Sequence, residues 1–246
     1  MTHWSDDDAL WEAMAPALTA PERLAAAEAD VACIADAVRL RSNTAVADIG
    51  CGAGVHAVAF AARGCSVTGI DRSAALIRRA REHAAARGVD VSFIQEDMRR
   101  FVRPGAYDLI CSLYSSFGYF DDATNRGVLR NFARSLRDGG VLVLDVLGRE
   151  VLTRDWQKQA AHEIQGVLYA VERSLQADRK LLVEDWTVNR GEARDTFRTA
   201  QSVYSAPELE DMLRDAGYRR VTLQGAFDAS TPYDDAAHRL VAFAFL

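Results

Sequence analysis

Along the first 150 residues, short apolar runs alternate with stretches whose apolar residues recur every three or four positions. The runs, residues 45–49, 66–70, 91–94, 106–113 and 141–146, are brief and nearly continuous, which predicts strands buried on both faces. Between them the spacing becomes helical. Leu24, Ala27, Val31, Ile34 and Val38 form one stripe, Leu76, Ile77, Ala80 and Ala84 a second, and Val128, Leu129, Phe132 and Leu136 a third. This alternation predicts parallel strands joined by helical crossovers. Ser73 is placed to cap the second of these helices and Gly88 to end it. Two capping signatures, Thr19-Ala-Pro-Glu22 and Ser205-Ala-Pro-Glu208, are expected to open helices reaching about residues 40 and 216. A short helical arm carrying Trp4 and Trp11 precedes them and is expected to break at Pro16.

From about residue 150 the pattern changes. Segments 166–171, 180–188 and 196–204 are strand-like and separated by polar turns, which predicts an antiparallel meander. Two last strands are expected at 218–225 and 239–246, with a polar loop around 228–235 between them. The expected division is an N-terminal helical arm or lid at 1–42, a core at 43–148 and 205–246, and inserted antiparallel strands at 149–204. A length of 246 residues, 49% of them hydrophobic, suits one α/β domain with a modest addition. A net charge of -6 argues against gripping nucleic acid through an overall positive field. No apolar run approaches the roughly 18 residues that would suggest a membrane span, and the acidic N-terminus has no signal-type core. Cys33, Cys51, Cys65 and Cys111 are scattered without metal-ligand spacing. The expectation is a soluble, cytoplasmic protein with no metal and no membrane or nucleic-acid partner; a homo-oligomer is compatible with the sequence.

The chemistry concentrates at Asp48-Ile-Gly50-Cys51-Gly52-Ala-Gly54. A strand ends in an acid, a glycine-dense turn follows, then a helix, then a strand closed by Asp71. That is the plan of a nucleotide-binding βαβ unit, whose second acid accepts hydrogen bonds from ribose hydroxyls. A dinucleotide site would place its third glycine at Val55, but here it is Gly54, and an acid stands two residues before the first glycine. The segment resembles the first motif of the class I S-adenosylmethionine (SAM)-dependent methyltransferases, acid-x-Gly-x-Gly-x-Gly. The Tyr107-Asp108 pair and the Gly139-Gly140 turn are similar to that family as well.

The resemblance covers about residues 45–145. It implies a doubly wound, seven-stranded Rossmann-like α/β sheet ordered 3-2-1-4-5-7-6 with the last strand antiparallel. It also implies SAM as cofactor and S-adenosylhomocysteine as product. Asp48, Gly50, Cys51, Gly52 and Gly54 would then form one wall of the SAM site, with Asp71 and Arg72 at the ribose. Asp97 would meet the adenine amino group, the Met98 backbone amide a ring nitrogen, and Leu113 would end the fourth strand beside the methionine part. Trp11, on the arm, is expected to close over the ligand.

Methyl transfer is a direct displacement at carbon, so positioning does most of the work, worth as much as ~7–11 kcal/mol. The loop at 114–120, rich in aromatics, is expected beside the sulfonium as a wall for the acceptor; the alternative, that Phe117 and Phe120 anchor the next helix in the core, is the expected role of Phe120. Tyr114, Tyr119 and Asp145 are the candidates for acceptor contact and catalysis. None of the five histidines shows the placement of a His-Asp dyad, and His56 reads as structural or near the methionine moiety. A neutral amine needs little help from a base, so an amine is favoured slightly over hydroxyl or carbon. The chain resembles the bacterial small-molecule, natural-product methyltransferases, and its Ser116-Phe-Gly-Tyr-Phe120 stretch and inserted meander resemble the lincosamide N-methyltransferase type. The competing readings are a SAM-binding protein of another kind, cyclase or non-catalytic, and an NAD-dependent oxidoreductase.

Overall fold

The computed structural model describes residues 3–228 and 230–246. The first two residues of the expected arm, and Ala229 in the polar loop, lie outside the described residues. Helices α1 (Asp8–Leu18) and α2 (Pro21–Val38) lead into the alternating part of the chain. There β1 (Ala45–Ile49), α3 (Val55–Ala62), β2 (Ser66–Asp71), α4 (Ala74–Arg87) and β3 (Ser92–Gln95) run outward from the middle of the sheet. The chain then returns to the other side of β1 with β4 (Tyr107–Ser112), α5 (Asp122–Ser135) and β5 (Leu136–Val146). After α6 (Arg149–Arg154) comes the insert, β6 (Gln159–Ile164), β7 (Val167–Gln176), β8 (Leu181–Arg190) and β9 (Ala193–Ser202). Helix α7 (Ala206–Asp215) and strands β10 (Arg220–Gln224) and β11 (Leu240–Phe245) complete the fold.

The main sheet is ordered β3-β2-β1-β4-β5-β11-β10, the order expected from the sequence. Its strands are parallel except β11, which runs antiparallel to both β5 and β10. Strand order reverses between β1 and β4, and the carboxyl ends on either side of that reversal open a crevice where ligands of such sheets bind. Both faces are covered. Phe132, Leu129 and Leu213 lie in the core on one side, and Phe60, Ile34 and Ile77 in the core on the other. Among the described residues, no helix is long and apolar enough to cross a membrane.

The insert is a separate four-stranded antiparallel sheet, one strand more than the pattern predicts. The extra strand, β6, reads Gln-Ala-Ala-His-Glu-Ile and is mostly exposed, so it has neither the alternation nor the β-branched content that would announce it. The inner face of this sheet meets α1. Val167, Tyr169 and Val188 pack around Ala13, and the Tyr169 hydroxyl donates to the Ala13 carbonyl at 3.1 Å.

Two expectations at the arm are corrected. Helix α1 runs through Pro16 to Leu18, because the proline sits in the last turn, where only the Glu12 carbonyl loses its partner and little helix remains to be bent. Residues 19–22 form no capping box. The N-cap of α2 is Ala20, and the Thr19 hydroxyl instead donates back to the Ala15 carbonyl at 3.0 Å, finishing α1. With so short a junction, the threonine cannot serve both helices. The second signature does form: Glu208 N donates to Ser205 Oγ at 3.4 Å, and Ser205 N to Glu208 Oε2 at 3.1 Å.

Asp48 has an unusual place in this core. It lies in β1 between Gly69 of β2 and Cys111 of β4, is 2% exposed, and its Oδ2 has no partner among the described residues. Burial pushes its carboxyl up to about 6. A carboxyl raised in the folded state keeps a proton that the unfolded chain releases, so this group lowers stability as pH rises from about 4 to about 6. Asp48→Asn is therefore expected to leave stability at pH 4 nearly unchanged and to raise it at pH 7.5 by about 2–3 kcal/mol, measured as the difference in urea-unfolding free energy. Ser205→Ala is expected to cost about 1 kcal/mol in the same assay, and a loss below about 0.3 kcal/mol would remove the box from the account of α7.

Candidate active site

A cleft enclosing about 940 Å³, its open mouth included, lies over the carboxyl ends of β1, β2 and β4. Its floor is the turn between β1 and α3. Gly50 N and Cys51 N both donate to the Ile70 carbonyl, at 2.8 and 3.0 Å, which ties the turn to the end of β2. Gly50 has φ +74°, and a Cβ there would lie 2.6 Å from Ser116 Cβ. Gly54, at φ +77°, leads into α3, and a Cβ on it would come within 2.9 Å of Ala80 and 3.0 Å of the Phe93 ring. The first glycine thus admits the β4 loop, and the last admits α4 and β3.

Asp71 closes the floor. Its Oδ2 accepts from Gly52 N at 2.8 Å and its Oδ1 from Ser73 N at 2.9 Å, so one carboxylate holds both the glycine turn and the start of α4. Burial raises its affinity for a proton, and the backbone N–H groups oppose that shift. At the next strand end, Asp97 forms a turn, with Oδ1 accepting from Arg99 N at 2.9 Å, and it also receives the Arg99 guanidinium on both oxygens. Burial works to raise the Asp97 carboxyl, but these hydrogen bonds hold it below the usual carboxylate range. The Arg99 guanidinium lies 4.5 Å from the centre of the Phe120 ring.

The roof comes from distant parts of the chain. Trp11 donates its indole N–H to the Ser5 carbonyl at 2.9 Å, and Trp4 donates to the Ala200 carbonyl of β9 at 2.9 Å. The Trp4 ring meets Tyr119 edge-on with centroids 4.6 Å apart. Asp6 pairs with Arg72, and the Ser73 hydroxyl donates to Asp8 at 2.7 Å, so the arm is latched to the floor as well as to the insert. The insert also braces the 114–120 loop, since Gln201 Nε2 donates to the carbonyls of Ser115 and Phe117 at 2.6 and 2.9 Å.

At the far wall, Tyr114 is the centre of a charged cluster. Its backbone is left-handed, φ +52°, and its N–H donates to Asp145 Oδ2 at 2.9 Å. The same oxygen accepts from Arg239 Nη1 at 2.8 Å. Asp145 is 3% exposed, and burial pushes it up to about 6 against the pull of Arg239. The Tyr114 hydroxyl donates to Asp30 Oδ2 at 2.7 Å, and His56 Nε2 lies 3.7 Å from that oxygen. The guanidinium groups of Arg23 and Arg239 sit 4.1 and 4.7 Å from the centre of the Tyr114 ring.

Of the residues singled out in the sequence, Gly50, Cys51, Gly52, Asp71 and Arg72 line the cleft, as do Asp97, Met98 and Leu113. Trp11, Tyr114 and Tyr119 line it too. Asp48, Gly54 and Asp145 do not. Asp48 and Gly54 lie beneath the glycine turn, and Asp145 holds Tyr114 and Arg239 from behind. Phe117 is fully buried, and Phe120 packs against the core as expected while also lining the cleft. Asp30 was missed by sequence reasoning, and His56 was not paired with it. A usable signal was present: Arg23, Ala27, Asp30 and Ile34 follow one another at spacings of four, three and four, on the edge of the α2 stripe.

Residues 46–140 match the family described as "Methyltransferase domain". The ubiquinone biosynthesis O-methyltransferase of Serratia proteamaculans is 33% identical over 113 residues. That match takes in 45% of each chain, so this chain aligns with about half the length of such curated relatives. A SAM-dependent methyltransferase from Clostridium acetobutylicum superposes with a TM-score of 0.75 at 15% identity, covering 89% of this chain and 90% of the other. The SAM-bound amino pentose methyltransferase CalS10 from Micromonospora echinaspora gives 0.66 at 20% identity, with 89% and 92% covered. Residues 46–140 thus match a methyltransferase domain family, and the chain as a whole shares the fold of these solved SAM-dependent methyltransferases.

Proposed function

We propose that this chain transfers the methyl group of SAM to a small-molecule acceptor by in-line displacement. The observation that carries the reading is the cleft at the reversal of strand order, with Asp71 locked to the glycine turn at one end and the Tyr114 cluster at the other. Asp71 and the turn receive the ribose and the methionine part, while Asp97 and Met98 border the adenine. The acceptor lies against Tyr114, Tyr119 and Phe120, beneath the arm that the insert braces. The matched relatives include a ubiquinone-pathway O-methyltransferase, and the structural neighbours an amino pentose methyltransferase.

Nitrogen was favoured in the sequence because no base was visible. The His56–Asp30 pair beside Tyr114 removes that premise. The pair suits an acceptor that has to lose a proton, such as an ammonium or a hydroxyl.

Calorimetric titration is expected to show SAM and S-adenosylhomocysteine binding and no response to NAD; micromolar NAD binding without SAM binding would sink the proposal. Release of S-adenosylhomocysteine with a panel of amines and hydroxyl compounds separates an enzyme from a SAM-binding module. Asp71→Ala is expected to weaken SAM binding by about tenfold or more, the scale of a lost hydrogen bond to a charged group, with the variant folded by circular dichroism. Unchanged affinity in that folded variant counts against the ribose role.

A further inference from the structure

The Tyr114 cluster contains more than is needed to shape a wall. His56 is 5% exposed, lines the cleft, and its Nε2 makes no hydrogen bond among the described residues. At 3.7 Å from Asp30 Oδ2 the ring is within ion-pair range but beyond a formed hydrogen bond, a looseness common where a catalytic contact tightens only around substrate. The same carboxylate oxygen accepts the Tyr114 hydroxyl at 2.7 Å, and the rings of His56 and Tyr114 lie 4.8 Å apart. Phenol, carboxylate and imidazole are therefore in contact sequence, beginning at a residue on the cleft wall and ending at a buried base.

We propose that His56, coupled through Asp30 to the Tyr114 hydroxyl, takes up the proton that the acceptor has to lose. This rests on the methyl-transfer reading. As an ammonium or hydroxyl acceptor gives its proton to Tyr114 Oη, the tyrosine proton passes to Asp30 and on to His56 Nε2. The lone pair so freed attacks the methyl carbon. A bond from acceptor to carbon forms, the carbon–sulfur bond breaks, and its electron pair stays on sulfur as the neutral thioether. An ammonium acceptor becomes a methylammonium and a hydroxyl becomes an ether. In each case His56 gains one proton and later returns it to solvent.

The surroundings suit both ends of the path. Burial and the Asp30 carboxylate raise the Tyr114 hydroxyl and keep it protonated at rest, while Arg23 and Arg239 over its ring work against that shift as the proton passes. Among the described residues Tyr119 has no cation over its ring and no hydrogen bond to a carboxylate, whereas the Tyr114 hydroxyl donates to Asp30, which makes Tyr114 the entry point. Around His56 the charged groups are Asp30 and Arg23 from α2, Asp48 from β1, Asp145 from β5, and Arg239 just before β11. A proton arriving there meets carboxylates on three elements. Asp145 touches neither cleft nor proton path; it is a positioning residue that holds the Tyr114 backbone and Arg239.

The test uses the full chain with whichever amine or hydroxyl compound of the panel releases S-adenosylhomocysteine. Tyr114→Phe, Asp30→Asn and His56→Gln are each expected to lower kcat at pH 7 by about 100-fold, the smaller end of general-base catalysis. Their affinity for S-adenosylhomocysteine should stay within about twofold. The loss should shrink as pH is raised to about 10, where amine acceptors shed the proton unaided. Unchanged kcat and an unchanged pH profile overturn the relay; so does loss of S-adenosylhomocysteine binding in all three variants, which would make the cluster part of the cofactor cradle. Failure of the unaltered protein to bind SAM would instead overturn the methyl-transfer reading.

Discussion

The carboxylate of Asp71 joins two pieces of backbone that would otherwise have no reason to stay together. One oxygen holds Gly52 N and the other Ser73 N, so the glycine turn and the start of α4 share a single anchor at the end of β2. The turn needs such an anchor because its glycines give it little stiffness of its own. From this point the rest follows outward. Gly50 N and Cys51 N lean on Ile70, Ser116 is wedged against Gly50, and the arm latches beside the anchor through Ser73 and Arg72. The anchored turn is thus the reference against which both the aromatic loop and the arm are set.

Most of the fold is legible in the sequence, for a physical reason. Strands buried on both faces are written as short apolar runs, and Val46, Ile110 and Leu142 are fully buried because α-helices cover each side of the sheet. The capping rules succeed at Ser205 and fail at Thr19, although the two sequences differ only in the cap residue and the spacing to the preceding helix. Thr19 follows α1 directly and spends its hydroxyl there. Strand β6 is illegible because its order comes from pairing with β7 rather than from its own side chains.

The candidate site divides in the same way. Its floor is local, a run of residues whose roles follow from order along the chain. Its far wall is not. Asp30 reaches His56 and Tyr114 only because α2 lies along α3 with one particular rotation, and Tyr114 reaches Asp30 only because Asp145 holds its backbone in the left-handed region. No spacing rule relates residues 30, 56, 114 and 145. The double role of Phe120, packed on the core and lying beneath Arg99 at the cleft wall, is not legible from spacing either.

The indole of Trp4 reaches across the cleft to the carbonyl of Ala200, so arm and insert meet as the two halves of an arch. Neither half supplies the glycine turn itself, although the arm is latched beside it through Arg72 and Ser73. On the proposed reading, changes in the arch alter what is held beneath it, while the glycine turn keeps its own hydrogen bonds to Ile70 and Asp71.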